Sequence, residues 1–293
     1  MVHPPQRTSA RTSLSGPALV RLLARLGETE VQASPQPLAD RLSQWLGWTD
    51  AIALSTVLSA PAPAVAGGVH ANGDDEAQRC LSLRSALSKA IALDGVLAPA
   101  KARRGGVYGH ARAAQPFQQQ APAPETPETD ADYAVFRQCY LALQQKMETD
   151  IGDLRGRLRS RLAVASPAMA RLATLDAAME RSLAARERSL LGTVPGLLGA
   201  HFERLRKAAR EAAAREAQAA AESPERTEQA EGVETRPAAA SATAPPALAS
   251  RTGATAPGAW LDAFRKDVQS VLLAELDVRF QPVEGLLAAL RAC

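Results

Sequence analysis

One stretch of the chain carries an unbroken helical repeat of apolar residues, and this repeat constrains the fold more than any other feature. Between Tyr133 and Leu162 the apolar residues recur close to every 3.6 residues, which is the repeat of an α-helix. The series consists of Tyr133, Phe136, Tyr140, Leu143, Met147, Ile151, Leu154, Leu158 and Leu162. Strand-favouring residues are scarce, since isoleucine occurs only at Ile52, Ile91 and Ile151 and aromatic residues make up 4% of the chain. We therefore predict an all-α fold.

Segments rich in proline, alanine, glutamine or glutamate interrupt the helical pattern and predict several folded pieces joined by linkers. A segment without an apolar period cannot bury a core and is expected to be disordered. The predicted divisions are a disordered N-terminus (1–14), a small N-terminal helical bundle (15–97), a Pro/Gln-rich linker (98–131), a three-helix bundle with a projecting Ala-rich end (132–222), an acidic and then Ala/Pro-rich disordered linker (223–256) and a C-terminal amphipathic helix (257–293).

The three-helix bundle is predicted from its capping signals. Ser166 followed by Pro167 is typical of a helix start, because serine caps the free N–H groups and proline fits the first turn. The long helix that ends before Ser166 and the one that follows should therefore pack antiparallel. A third helix presents its last large apolar residue at Leu205, and alanine alone supplies its apolar face from Lys207 to Ala221. That end is expected to project into solvent.

The C-terminal segment predicts a helix-docking surface. One face of the expected helix is apolar over five turns, and an exposed apolar face of this size would be unstable and prone to stick. The surface consists of Trp260, Leu261, Phe264, Val268, Val271, Leu272 and Leu276. Pro282 is expected to break or kink the helix, leaving a short apolar arm beyond it. We predict that this segment packs either on the bundle of its own chain or on a partner, and that the linker lets it exchange between them.

Two further patterns concern helix packing. Gly152, Gly156 and Ser160 lie four residues apart and line one face, which favours close approach of another helix, although chance spacing explains the pattern equally well. Trp45 and Trp48 flank Gly47 at a helix turn. We interpret both tryptophans as core anchors, with partner recognition as the alternative.

The basic residues do not predict a strong nucleic-acid site. The net charge is only +3, so no global attraction to phosphate follows. The densest cluster is Arg155, Arg157, Arg159 and Arg161, and helical geometry places these arginines on two flanks of the apolar stripe, where their stems cover a bundle seam. A second basic run in the first linker comprises Lys101, Arg103, Arg104 and Arg112, and it carries the alternative of weak nucleic-acid binding.

No catalytic, cofactor-binding or metal-binding motif is visible in the sequence. The four histidines lie far apart, and neither a phosphate-binding loop nor a paired metal-ligand motif is present. His201 and Cys139 fall on predicted helices, where packing explains each better than chemistry. We expect no enzyme activity and no cofactor. Three widely spaced cysteines suit a reducing cytoplasm, and no run is apolar enough to predict an integral membrane protein.

Several stretches resemble a known family. These are SGPALVRLLARL, RLSQWLGWTDAIALSTVL, YLALQQKMETDIGDLRGRLRSRL and LAARERSLLGTVPGLL. They resemble the uncharacterised proteobacterial family catalogued as domain of unknown function 3348, with the similarity extending over residues 15 to about 210. The resemblance implies no catalytic or binding residues. Our hypothesis is a noncatalytic bacterial interaction or scaffold protein that binds helices of a partner or of a second copy.

Overall fold

The described part of the chain consists of helices and their connections, with no strand. A computed structural model describes residues 17–29, 36–61, 73–98, 131–221 and 258–292. The helices in these ranges are α1 (Ala18–Gly27), α2 (Leu38–Trp45), α3 (Trp48–Ser59), α4 (Gly73–Ala92), α5 (Tyr133–Ala165), α6 (Pro167–Leu191), α7 (Val194–Ala221) and α8 (Ala259–Arg291). The all-α prediction is confirmed. The predicted disordered N-terminus and nearly all of both predicted linkers lie outside the described residues.

Capping side chains set the ends of the long helices where the sequence predicts them. The Asp132 carboxylate accepts a hydrogen bond from the Ala134 N–H at 2.9 Å, and the Ser166 hydroxyl accepts one from the Met169 N–H at 3.2 Å. Each bond satisfies a donor that the first helical turn would otherwise leave unpaired. Because Ser166 alone separates α5 from α6, the two helices fold back against each other.

Helices α5 and α8 form the centre of the core, and α4, α7 and α1 pack around them. Three phenylalanines from different helices meet at one end of this pair. The ring of Phe264 lies 5.2 Å from that of Phe136, edge to face, and 5.0 Å from that of Phe202. Edge-to-face contacts are a favoured aromatic geometry, so this cluster joins α5, α7 and α8 firmly.

The N-terminal helices pack differently from the predicted separate bundle over residues 15–97. Helix α1 packs on α7 and α8, α3 packs on α6, and α4 packs on α8 and α5. Residues from α1 and α4 belong to the same buried cluster as those of α5 and α8. The physical reason is that burial of apolar surface drives packing without a preferred direction, and α1 and α4 bury their apolar residues in the cluster formed around α5 and α8.

Helix α8 continues through Pro282 without interruption from Ala259 to Arg291. The predicted break and the separate short arm are therefore wrong. Proline in a helix interior costs about 3 kcal/mol, whereas each fully buried valine or leucine contributes roughly 1.5 to 3 kcal/mol. Val283, Leu286 and Leu290 are all buried in the main core, and their burial offsets the cost of the proline.

Candidate interaction surface

The sequence around Gly47 builds a short helix, a tight turn and a second helix. Only Leu46 and Gly47 separate α2 from α3. The Asp50 carboxylate accepts a hydrogen bond from the Gly47 N–H at 3.1 Å, which stabilises the first turn of α3. Asp50 is the only ionisable residue of α3. The remaining residues are apolar or small, so α3 is nearly uncharged around its whole circumference.

Two arginines of α6 hold this unit against the rest of the protein. The Arg171 guanidinium donates a hydrogen bond to the Leu58 carbonyl oxygen at the end of α3. The Arg186 guanidinium lies over the Trp45 ring, 5.6 Å from its centroid, within the range of a cation–π interaction. These contacts place α3 antiparallel to α6 and hold the α2–α3 unit at Trp45 and at Leu58.

The outer side of α3 is apolar and open to solvent. No residue of α3 is buried, and Trp48 is 83% exposed, Leu58 55% and Ile52 52%. A helix that is apolar all round normally lies in a core. We call the outward side of α3 the α3 face, and its residues are Trp48, Ala51, Ile52, Ser55, Leu58 and Ser59.

The prediction that both tryptophans near Gly47 anchor a core is wrong. Trp48 stands almost free, and Trp45 is 37% exposed with one side against Arg186. The composition of α3 was a signal in the sequence that the tryptophans are exposed. The small residues of this helix offer too little area to cover two indole rings. Trp48 is therefore not a core residue, and partner recognition stays a prediction.

The α3 unit covers a second apolar layer. Four side chains along α6 are half-buried and do not belong to the main core: Leu172, Leu175, Met179 and Leu183. At 100° per residue they lie on the same side of α6 as Arg186, which contacts the α2–α3 unit. Toward α5, α6 instead presents Ala170 and Ala173, both buried. The α3 face is thus the outer surface of a thin apolar layer.

The surface predicted on the C-terminal helix is covered within its own chain. Leu261, Phe264, Val268, Val271, Leu272 and Leu276 are each at most 2% exposed. Trp260 is half-buried and contacts Phe202 with ring centroids 5.3 Å apart. Helix α8 packs on α5, α4, α7 and α1, so this apolar face lies in the core. Exchange of the segment with a second molecule stays a prediction.

The small-residue groove on α5 contacts nothing in the described chain. A methyl group added at Gly152 or Gly156 would meet no atom within 4 Å. Ser160 is exposed, and its hydroxyl donates to the Gly156 carbonyl oxygen at 3.1 Å. Close packing against another helix therefore does not occur at this groove among the described residues.

The arginines of α5 are engaged in ion pairs on the two predicted flanks. On one flank Arg155 contacts Asp176 at 2.6 Å and Glu180 at 3.2 Å, and Arg159 contacts Asp176 at 3.2 Å. This network links α5 to α6. Because these charges are neutralised by carboxylates, the flank does not present a free basic patch to phosphate.

On the other flank, Arg157 and Arg161 face Glu76 of α4. Arg157 forms a bidentate pair with Glu76 at 2.9 Å, and Arg161 approaches it at 3.3 Å. The hydrogen bond from Arg157 holds the pKa of Glu76 below its usual value. The surrounding cleft has a volume of about 740 Å³ and also contains the Arg79 side chain. The linker arginines of the nucleic-acid alternative lie outside the described residues.

A buried polar network between α5 and α8 escaped the sequence analysis. Glu275 is fully buried and accepts hydrogen bonds from Tyr140 at 2.5 Å, Gln144 at 2.9 Å and Arg279 at 2.9 Å. Burial, followed by the negative charge of Glu275, raises the pKa of Tyr140 above its usual value. The network fixes the register of the central helix pair. Its signal in the sequence is a glutamate inside an otherwise apolar run.

The two described cysteines are buried thiols. Burial raises the pKa of Cys139 to about 12, with a further contribution from the hydrogen bond that the thiol donates to Asp94 at 3.1 Å. Burial also raises the pKa of Cys80. Since the thiolate is the nucleophile, neither thiol is suited to nucleophilic chemistry.

His201 contacts a carboxylate at the junction of α7 and α8. Its Nε2 atom lies 2.9 Å from the Asp267 carboxylate, and its ring lies 6.0 Å from the Phe264 ring. No nucleophilic side chain joins this pair in the described contacts. Within the described ranges no cluster of histidine, cysteine and acidic residues could hold a metal ion, and no helix there could cross a membrane.

Comparison with known proteins identifies a family and nothing beyond it. No curated protein and no solved structure matches the chain. The family described as "Protein of unknown function (DUF3348)" matches residues 6–292. The match thus extends beyond residue 210, where the resemblance in the sequence was expected to end, and includes the C-terminal helix. The chain therefore belongs to the DUF3348 family.

Proposed function

We propose that this protein is a noncatalytic interaction protein that binds a protein partner through the α3 face. The observation that carries the proposal is the exposure of an apolar helix: Trp48 is 83% exposed and no residue of α3 is buried. Large exposed apolar patches mark interaction sites in soluble proteins. Tryptophan is also among the residues that dominate binding energy at interfaces.

The rest of the described chain supports binding over catalysis. The thiols of Cys80 and Cys139 have raised pKa values, and the buried Glu275 is saturated by three hydrogen bonds from neighbouring side chains. A carboxylate that acts as a general base must reach the substrate. Glu275 has no exposed surface and cannot do so. These groups stabilise the fold.

The experiment compares proteins retained from a lysate by the wild-type chain and by two charge-insertion variants. Trp48→Glu alters the α3 face, and Leu93→Glu is the control, because Leu93 is 78% exposed at the end of α4. We expect Trp48→Glu to abolish retention of a specific partner or of a second copy, with the helical content and melting temperature unchanged. Equal retention by both variants would contradict the proposal.

The same experiment, repeated at higher salt, distinguishes protein binding through the α3 face from nucleic-acid binding through the linker arginines. Phosphate binding weakens steeply as salt rises, whereas apolar docking does not. Retention that survives 0.5 M salt and is lost in Trp48→Glu supports the α3 face. Retention that disappears with salt or nuclease treatment, and is unaffected by Trp48→Glu, would favour the linker arginines instead.

A further inference from the structure

The two ion-pair networks of α5 differ in their balance of charge. On the flank toward α6, two arginines face two carboxylates, those of Asp176 and Glu180. On the flank toward α4, Arg157 and Arg161 share the single carboxylate of Glu76. One positive charge therefore stays uncompensated among these three side chains.

The shared carboxylate leaves several guanidinium donors unused. Arg157 donates to Glu76 through Nε and Nη2, and its Nη1 atom has no hydrogen bond within the described part of the chain. Arg161 donates only through Nε, at 3.3 Å. The Glu76 side chain is 3% exposed, whereas those of Arg157 and Arg161 are 40% and 42% exposed. A buried carboxylate thus positions two guanidiniums whose remaining donors are accessible.

A third guanidinium lines the same cleft from α4. Arg79 is exposed and makes no hydrogen bond or ion pair among the described residues. The Gln78 amide and the Ser82 hydroxyl also line the cleft and are likewise without a described hydrogen bond. The cleft has three arginines against two carboxylates, those of Asp75 and Glu76, and so carries a net charge of +1.

The size of the cleft and the number of its donors select a ligand class. Its volume is about 740 Å³, within the roughly 300 to 1,000 Å³ typical of small-molecule sites. Guanidinium groups donate paired, charge-assisted hydrogen bonds to phosphate oxygens. A phosphate monoester offers three terminal oxygens and matches donors from three side chains, whereas a carboxylate or a phosphodiester offers only two. Leu83 and Leu154 also line the cleft and provide apolar contacts for the carbon skeleton of such a molecule.

We propose that the cleft lined by Arg79, Arg157 and Arg161 binds a phosphate monoester, with Glu76 as the residue that positions two of the arginines. The carboxylates of Asp75 and Glu76 would oppose a row of further phosphates, which disfavours a nucleic-acid backbone. The cleft shares no residue with the α3 face, so phosphate binding is independent of partner binding at that face.

Phosphorus NMR of inorganic phosphate, titrated with the full chain in a buffer without other oxyanions, tests the site. We expect saturable broadening of the phosphate resonance by the wild-type protein. Arg79→Ala and Arg161→Ala should each weaken binding about tenfold or more, since each removes charge-assisted donors. Arg161→Ala keeps the bidentate pair between Arg157 and Glu76, so the fold should survive, and circular dichroism checks this for each variant.

Lys89→Ala is the matched control for charge. Lys89 is exposed on the same helix as Arg79 and does not line the cleft, so its removal changes the net charge equally. Lys89→Ala and Trp48→Glu should both bind phosphate like the wild type. Absence of saturable binding by the wild type, unchanged binding by Arg79→Ala, or equal weakening by Arg79→Ala and Lys89→Ala would each overturn the site.

Two further probes distinguish the source of the phosphate group. Glycerol phosphate represents a soluble monoester, and vesicles of phosphatidylcholine with phosphatidic acid present the same group on a lipid. Displacement of inorganic phosphate by glycerol phosphate without sedimentation on vesicles supports a soluble ligand, whereas sedimentation that is lost in Arg79→Ala supports a lipid headgroup. Binding of a DNA duplex that depends on Arg79, by a chain that does not bind inorganic phosphate, would overturn the monoester site.

Discussion

Removal of the buried Glu275 carboxylate should be among the most destabilising single changes in the chain. Glu275 is fully buried and is the common acceptor for Tyr140, Gln144 and Arg279. In Glu275→Ala these three donors lose their shared partner. Arg279, whose side chain is only 7% exposed, keeps Glu187 at 3.2 Å, but that carboxylate is 48% exposed and compensates weakly.

The expected loss follows from these contacts. Breaking a buried ion pair by removal of one partner costs about 3 to 5 kcal/mol, which is a large part of the 5 to 15 kcal/mol that stabilises a typical domain. Tyr140→Phe removes a single hydrogen bond to the same carboxylate and should cost about 1.5 to 3 kcal/mol. The milder variant keeps the prediction measurable if Glu275→Ala does not fold.

Urea unfolding followed by circular dichroism measures the free energy of unfolding. The matched control is Asp277→Ala, which lies on the same helix and removes one of the two carboxylate partners of Arg84, at 2.6 Å, while Glu284 remains. Both groups of that pair are at least 40% exposed, so its loss should cost at most about 1 kcal/mol. If Glu275→Ala and Asp277→Ala lose equal stability, the argument from burial is wrong.

Four other expectations follow from described contacts. The folded pKa of Glu76 is lowered from its ordinary value of 4.5, so the ionised carboxylate adds stability above that pH, and this stability is lost as pH falls below it. In Glu76→Gln the free energy of unfolding should therefore depend less on pH in this acid range. An unchanged pH dependence would count against the ion pair. The thiol of Cys139 has a folded pKa of about 12 against an ordinary 9.0, so the free energy of unfolding should fall as pH rises through that interval. Cys139 should also resist iodoacetamide at pH 8 until the chain unfolds. Rapid labelling of the folded protein would refute the burial of this thiol. Gly156→Ala should raise the free energy of unfolding by about 1 kcal/mol, since no atom lies within 4 Å, and a loss in the same assay would indicate a contact there. Deletion of residues 257–293 should abolish cooperative unfolding by removing half of the central helix pair, and a truncated chain with the full-length transition would disprove that role for α8.

Local signals predicted the helices well. The 3.6-residue repeat between Tyr133 and Leu162 corresponds to a single helix, α5, and Ser166 with Pro167 starts the next one. The sequence also placed the four arginines of α5 on two flanks of the apolar stripe, and the structure shows separate ion-pair partners on each flank. These inferences succeed because periodicity and capping act over a few residues of the same helix.

The sequence predicted which helix faces are apolar, but it did not predict which of them stay exposed. The sequence analysis gave Trp48 two interpretations, a core anchor and a binding residue, and preferred the core anchor. The structure decided against a core anchor, because α3 packs on α6 and leaves Trp48 83% exposed. The apolar face from Trp260 to Leu276 predicted packing either on the bundle of its own chain or on a partner, and helices of the same chain cover it.

What the sequence determined by itself is therefore the class of the fold, the extent of α5, the start of α6 and the apolar face of each long helix. Tertiary structure decided which faces meet: it joined α1 and α4 to α5 and α8, carried α8 through Pro282 and left the outer side of α3 uncovered. The physical reason is that the hydrophobic effect depends on buried area and has no direction. Periodicity shows that a face must be covered, but only the competition among all faces of the folded chain selects what covers it.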